Sequence, residues 1–142
     1  MSGDLHGHCL CEAVTVKLTG AKDSVEICQC AMCRRWGGAF YPALAGDTFE
    51  IGGEEAITAY ASSGWAERAF CSRCGSNFWW RFKPTGNRSF SAGLFDEASS
   101  LSIEKEIFVE ESANWCELQG DHPRQTGAEV VAEARASGFT FD

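Results

Sequence analysis

Seven of the eight cysteines in this 142-residue chain fall into three groups, Cys9-x-Cys11, Cys28-x-Cys30-x-x-Cys33 and Cys71-x-x-Cys74, and this spacing limits the possible folds more than any other feature. A C-x-x-C pair followed by glycine, as in Cys71-Ser72-Arg73-Cys74-Gly75, makes a tight turn in which two sulfurs, each about 2.3 Å from a zinc ion, share the metal. One such turn leaves a tetrahedral site half built, so a second pair must come from elsewhere. Cys9 with Cys11 is the natural donor, and a structural zinc on these four cysteines would staple the N-terminus to mid-chain.

Cys28, Cys30 and Cys33 then offer three thiolates of their own. A three-ligand zinc with its fourth position open is the usual arrangement of a reactive site, so the triplet is the candidate active centre and the expected second zinc site. C-x-C-x-x-C is less diagnostic than paired turns, and buried or redox-active thiols remain the other reading. Thiolate sets also accept iron, although redox-silent zinc suits this mixed framework better. Cys116 stands alone after Trp115 on an expected strand and reads as a small buried hydrophobe, with closure of the triplet as the other option. His6, His8 and His122 share no ligand spacing and are assigned no role; His8 is expected on the surface of the zinc turn.

The length suits one domain, residues 1–142, and ten Phe and five Trp within a 44% hydrophobic composition supply a core for it. Net charge is -8, and the 12 Lys and Arg are scattered instead of forming a stripe along which a phosphate backbone could lie, so nucleic acid is not an expected partner. No apolar run reaches the roughly 18 residues that span a bilayer, and Met1-Ser2-Gly3-Asp4 lacks the basic and apolar regions of a secretory signal. The expected compartment is therefore the cytoplasm, with no membrane partner. Its reducing poise favours metal ligation over disulfides for eight clustered thiols.

Short β-like runs recur at Ala13–Leu18, Val25–Cys28, Phe40–Ala45, Ala56–Tyr60, Glu67–Phe70, Phe78–Phe82, Phe90–Gly93 and Ile103–Val109, most bounded by Gly, Asp, Ser or Asn. Apolar and polar residues broadly alternate in Val14–Leu18 and Ile103–Ile107, the pattern of a strand with one wet face. Two short helices are expected, Ala31–Trp36 inside the second cysteine cluster and Ala128–Ala136, where Gly138 suits a C-terminal stop. The predicted fold is mainly β.

Gly7-His8-Cys9-Leu10-Cys11, the stretch from Cys28 through Arg34-Arg35-Trp36-Gly37-Gly38-Ala39-Phe40, and Glu67-Arg68-Ala69-Phe70-Cys71-Ser72-Arg73-Cys74-Gly75-Ser76 together resemble the glutathione-dependent formaldehyde-activating family, also called the centromere protein V family. Ser91-Ala92-Gly93-Leu94-Phe95-Asp96, Ile107-Phe108-Val109 and Trp115 extend the likeness, so that the motif-bearing core runs from about residue 5 to about residue 118. The resemblance implies small β-sheets around a structural zinc, a fold related to methionine sulfoxide reductase B and a Rab-associated zinc chaperone. It also implies that Cys9, Cys11, Cys71 and Cys74 hold the structural zinc, and Cys28, Cys30 and Cys33 the catalytic one.

The activity implied is formation of S-(hydroxymethyl)glutathione from formaldehyde and glutathione, a carbon-sulfur lyase reaction run backwards, with glutathione as the small-molecule thiol partner. Arg34 and Arg35 directly follow Cys33, and an arginine fork there could grip a substrate carboxylate; a surface pair balancing the acidic chain is the plainer reading. Arg34 is the candidate substrate contact. Gln29 stands where relatives often carry His, Glu12 where Gly is common, and Glu106 where His is frequent, which changes the acid-base groups on offer near the site. A noncatalytic zinc module binding a protein partner is the alternative function. Methionine sulfoxide reduction ranks last, since only Cys116 stays unassigned as a nucleophile.

Overall fold

A computed structural model describes residues 3–141. In chain order the strands are β1 (Leu5–His8), β2 (Thr15–Thr19), β3 (Ser24–Cys28), β4 (Tyr41–Leu44), β5 (Thr48–Gly52), β6 (Ile57–Ala61), β7 (Ala66–Cys71), β8 (Asn77–Phe82), β9 (Arg88–Ser91), β10 (Ser102–Ile107) and β11 (Arg124–Gln125). Two helices join them, α1 (Ala31–Gly37) and α2 (Gly127–Ala136), so the protein is mainly β as its sequence predicts. Among the described residues no helix is long and apolar enough to cross a membrane. The chain gathers into two units, each built from two separate segments: residues 3–23 with Ala43–Leu101, and Ser24–Pro42 with residues 102–141.

In the first unit β1, β2 and β5 form an antiparallel sheet, with Leu5 opposite Leu18 and Val16 opposite Ile51. Alternation does the sorting. Leu5 and Gly7 of β1 and Val16 and Leu18 of β2 are buried, whereas His6 and His8 face outward. Gly7 admits no side chain, because a Cβ there would lie 2.7 Å from the Leu94 carbonyl oxygen and 2.8 Å from the Phe95 ring. From the Ala43–Leu44 end of β4 the unit also holds a run of antiparallel strands, continuing in the order β9, β8, β7, β6. Phe78, Phe90, Phe95, Leu44 and Val14 are almost wholly withdrawn from solvent, and each such large side chain contributes about 2 kcal/mol through burial.

The second unit is built on parallel pairing. β10 runs beside β3 with Glu106 opposite Ile27 and Ile107 opposite Cys28, and β11 adds to the other edge of β10 with Arg124 opposite Glu106. Helix α2 begins with a reciprocal cap in which Thr126 Oγ1 accepts from Glu129 N at 3.2 Å and Glu129 Oε1 accepts from Thr126 N at 2.9 Å. Gly138, at φ 92°, follows its C-terminal end.

Two expected strands end early for visible reasons. The run expected over Ile103–Val109 stops at Ile107 because Phe108 turns into the left-handed region at φ 57°. The run expected over Phe90–Gly93 stops at Ser91, where Ala92–Leu94 tightens into a 3-10 turn. Cys116 is not on a strand: it lies in an irregular segment where its amide donates to the Ala113 carbonyl at 3.0 Å.

Candidate metal centres

Cys9, Cys11, Cys71 and Cys74 all belong to the first unit and converge from two turns. The first follows β1: Cys9 N donates to Val14 O, Glu12 N donates to Cys9 O, and Glu12 takes a left-handed φ of 62°. That backbone conformation costs glycine nothing and is strained for any other residue, so Glu12 is held there by the turn. The second turn follows β7, with Gly75 N donating to Cys71 O at 2.9 Å and Gly75 itself at φ 80°. Leu10 N donates to Ser76 Oγ at 3.0 Å and so ties one turn to the other.

The four sulfurs lie within 4.8 Å of one another, and Cys11 Sγ is 3.7 Å from both Cys9 Sγ and Cys71 Sγ. Four sulfurs about 2.3 Å from a common centre stand about 3.8 Å apart along each edge of a tetrahedron, so the set fits a zinc ion. Its electrostatics favour charged sulfur on one side. The Ser76 hydroxyl and amide pull the Cys74 thiol down to about 5, and the Cys74 amide, foremost among its neighbours, pulls Cys71 down. Cys11 stands at about 11: the Ala13 amide lowers it, but desolvation and the neighbouring thiols outweigh that pull.

Cys28, Cys30 and Cys33 come together in the second unit, their sulfurs also within 4.8 Å of one another. Cys28 closes β3, Cys30 is the N-cap of α1 and accepts from Cys33 N at 3.4 Å, and Cys33 is buried on the helix. Hydrogen bonds from the Cys28 and Cys33 thiols pull Cys30 down to about 2, and the same hydrogen bond to Cys30 pushes Cys28 far up. Three soft donors on one strand end and one helical turn fit a borderline-soft cation with a position to spare. Among the described residues no histidine or carboxylate joins either sulfur set.

The two arginines after Cys33 separate in role. Arg35 Nη1 donates to Ala31 O at 3.2 Å, whereas Arg34 Nε is buried with no hydrogen-bond partner. Gln29 is 3% exposed, its amide donates to Ile107 O, and its Oε1 is buried without a partner. Trp36 stacks on Tyr41 with ring centroids 4.9 Å apart.

Sequence reasoning assigned His122 no role, yet its Nε2 lies 2.5 Å from Glu106 Oε2, and Arg124 Nε donates to the same oxygen at 2.9 Å. Glu106 pairs with Ile27 while its neighbour Ile107 pairs with Cys28, so its carboxylate lies on the opposite face of the strand pair from Cys28. There it fastens the segment before β11, whose Arg124 also donates to the Leu118 and Gly120 carbonyls. His8 is exposed, with Nδ1 and the Cys9 carbonyl oxygen 2.8 Å apart.

Fold and site define a mainly β protein carrying two convergent thiol sets fit to hold metal ions. A model of the glutathione-dependent formaldehyde-activating enzyme family matches residues 4–111, and the chain belongs to that family. It is 26% identical over 110 residues to a curated Schizosaccharomyces pombe protein named as an uncharacterized lyase, covering 76% of this chain and 80% of that one. Its fold is similar to the crystal structure of a Rhodobacter sphaeroides protein, with a TM-score of 0.52 at 20% identity over 70% of this chain and 99% of the other.

Proposed function

We propose that this protein is a zinc-dependent carbon-sulfur lyase of the S-(hydroxymethyl)glutathione synthase type, acting in the cytoplasm on a thiol and aldehyde pair. The observation that carries the reading is the triplet itself: three sulfurs within 4.8 Å of one another, followed on the same helix by an arginine whose buried Nε has no partner. Family membership and the lyase name of the yeast relative support the reaction class. Under this reading Cys9, Cys11, Cys71 and Cys74 hold a structural zinc, and Cys28, Cys30 and Cys33 hold the second. Zinc bound at the triplet would supply positive charge that lowers the proton affinity of a thiol and polarises an aldehyde oxygen.

In the forward direction a carbon-sulfur bond forms between glutathione and formaldehyde while the thiol proton passes to the former carbonyl oxygen. The chain's own part is to bind and orient. Arg34 offers a fork suited to a glutathione carboxylate, and satisfying its buried Nε would repay a desolvation the free protein carries. Glu111 Oε1 accepts from Ala31 N at 3.1 Å and so holds the start of the helix that presents Cys33 and Arg34. The test is the exchange rate of carbon-13 formaldehyde with glutathione, measured by NMR against the spontaneous reaction, together with elemental analysis. Two zincs per chain and accelerated exchange, both diminished by Cys33→Ala, are expected. A fully loaded protein that leaves the exchange at its spontaneous rate would sink the lyase reading and favour a noncatalytic zinc module.

A further inference from the structure

Strand β6 is the last of its sheet: β7 pairs with it on one side, and among the described residues no strand lies on the other. Thr58, Ala59, Tyr60 and Ala61 are all exposed, Tyr60 at 64%. An edge of this kind offers unpaired N–H and C=O groups to any strand that meets it, and folded proteins usually blunt it with a lysine, a proline, a bulge or a cover. β6 carries none of these. Its sequence is Ile57-Thr58-Ala59-Tyr60-Ala61, its register with β7 runs unbroken from the Ile57–Cys71 pair to the Ala61–Glu67 pair, and residues 56–64 include no charged side chain in a chain of net charge -8.

The ladder with β7 determines which backbone groups of β6 are free. In an antiparallel pair, residues that exchange both hydrogen bonds alternate with residues whose N–H and C=O point away. Ser72 N donates to Ala56 O at 2.7 Å, one step before the Ile57–Cys71 pair, and Cys71 N turns away to Ser76 O at 2.9 Å. Thr58 and Tyr60 are therefore bonded to β7, whereas Ile57, Ala59 and Ala61 aim their backbone groups outward. Ile57 N already donates to Glu54 O. Among the described residues, that leaves the Ile57 carbonyl and the N–H and C=O of Ala59 and Ala61 for a strand from outside.

We infer that two copies of this protein join edge to edge through β6, antiparallel about a two-fold axis at Ala59. In that register Ala59 exchanges both hydrogen bonds with Ala59 of the second copy, and on either side of the axis an Ala61 amide donates to an Ile57 carbonyl across the interface. Tyr60 stands directly opposite Thr58 of the second copy, a close pairing of an aromatic with a β-branched side chain. A second copy is the partner because the strand complements itself in this one register. Centred on Ile57, the pairing would need an amide already bonded to Glu54, and centred on Ala61 it would run past the end of the strand. Charge agrees with this arrangement: antiparallel pairing sets Glu54 and Glu55 of one copy toward Ser62, Ser63 and Gly64 of the other, so the acidic residues that precede the strand do not meet. The inference is independent of the chemistry at the cysteine triplet.

The experiment is sedimentation equilibrium of the zinc-loaded protein over a range of concentrations, with amide hydrogen exchange followed in parallel. A reversible dimer of twice the 15.5 kDa chain mass is expected. The Ala59 and Ala61 amides should gain protection as the concentration rises, while those of Thr58 and Tyr60, bonded within the chain, are protected throughout. Ala59→Pro removes an N–H that β7 does not use, so this variant should keep the fold and be a monomer. Should it not fold, Ala59→Lys decides: it sets two like charges against each other at the axis and should raise the dissociation constant about tenfold or more at low salt. A native protein that stays monomeric up to millimolar concentration would overturn the proposal. So would a dimer that survives both variants, or one in which the Ala59 amide exchanges as fast as in the monomer.

Discussion

Glu111 reaches back to the first residue of the cysteine-bearing helix, its Oε1 accepting from Ala31 N at 3.1 Å. Ala31 directly follows Cys30 and precedes Cys33 by two, so this one carboxylate fixes the backbone that aims two of the three sulfurs. Glu111→Ala should weaken metal binding at the triplet about tenfold, as loss of an orienting contact commonly does, while leaving the other four cysteines loaded. Competition with a chromophoric chelator, resolved into two steps of release, reads both affinities.

Replacement of Cys71 or Cys74 with Ser should have a far larger effect. Structural zinc on thiolates is worth roughly 10–16 kcal/mol of folding free energy, more than a domain of this size commonly has to spare. Each variant is expected to lose a full equivalent of zinc and its cooperative melt, and a chelator added to the native protein should reproduce the loss. Elemental analysis with a thermal melt is sufficient.

Glu106→Gln removes the charge that His122 and Arg124 share. The carboxylate is 5% exposed and the His122 side chain 6%, so the imidazole cannot simply turn to water, although Arg124, 42% exposed, can. A loss of about 3 kcal/mol is expected in urea unfolding, with faster proteolysis in the segment before β11. An unaltered midpoint would mean that water replaces the carboxylate there.

Gly127 sits under the ring of Phe108, where an added Cβ would lie 2.6 Å from Phe108 Cδ1 and 2.8 Å from Glu110 Oε2. The Gly127 amide meanwhile donates to the Glu110 carboxylate at 2.9 Å. Gly127→Ala should therefore destabilise by about 1–3 kcal/mol, even though alanine is the better helix former. Chemical denaturation of the two proteins side by side checks the sign.

The α2 cap gives a pH dependence with a definite direction. The Thr126 amide, and after it the Thr126 hydroxyl, hold Glu129 below the ordinary carboxylate value. A depressed carboxylate stabilises the folded state fully above its unfolded pKa of about 4.3, and that gain is lost as pH falls through the lower folded value. Amides of the first turn of α2 should thus be better protected from hydrogen exchange in the native protein than in Glu129→Gln near neutral pH, and the difference should close in acid.

The sulfur sets were legible because ligand spacing is a local property of the chain: Cys71-x-x-Cys74 and Cys28-x-Cys30-x-x-Cys33 carry their geometry in a few consecutive residues. The two helices were legible for similar reasons of composition and capping. β1, β5 and β11 were not. Leu5-His6-Gly7-His8 has little intrinsic strand preference and becomes a strand because β2 lies beside it and Phe95 closes over Gly7. β5 is mostly exposed and its alternation is weak, and β11 is only two residues long. The different fates of Arg34 and Arg35, and the meeting of Glu106 with His122, depend on where the backbone carries each side chain, which no neighbouring letter records.

The parallel pairing of Cys28 with Ile107 also sets an order on the ribosome. Every cysteine of the first sulfur set has been synthesised by Cys74, so that set can gather while the rest of the chain is still being made. The strand that ends in Cys28 has to wait for β10, and α1 for Glu111, before the second set acquires its final geometry. A nascent chain stalled between these points would carry one gathered sulfur set and one still dispersed, which leaves the late-forming triplet open to oxidation during its own synthesis.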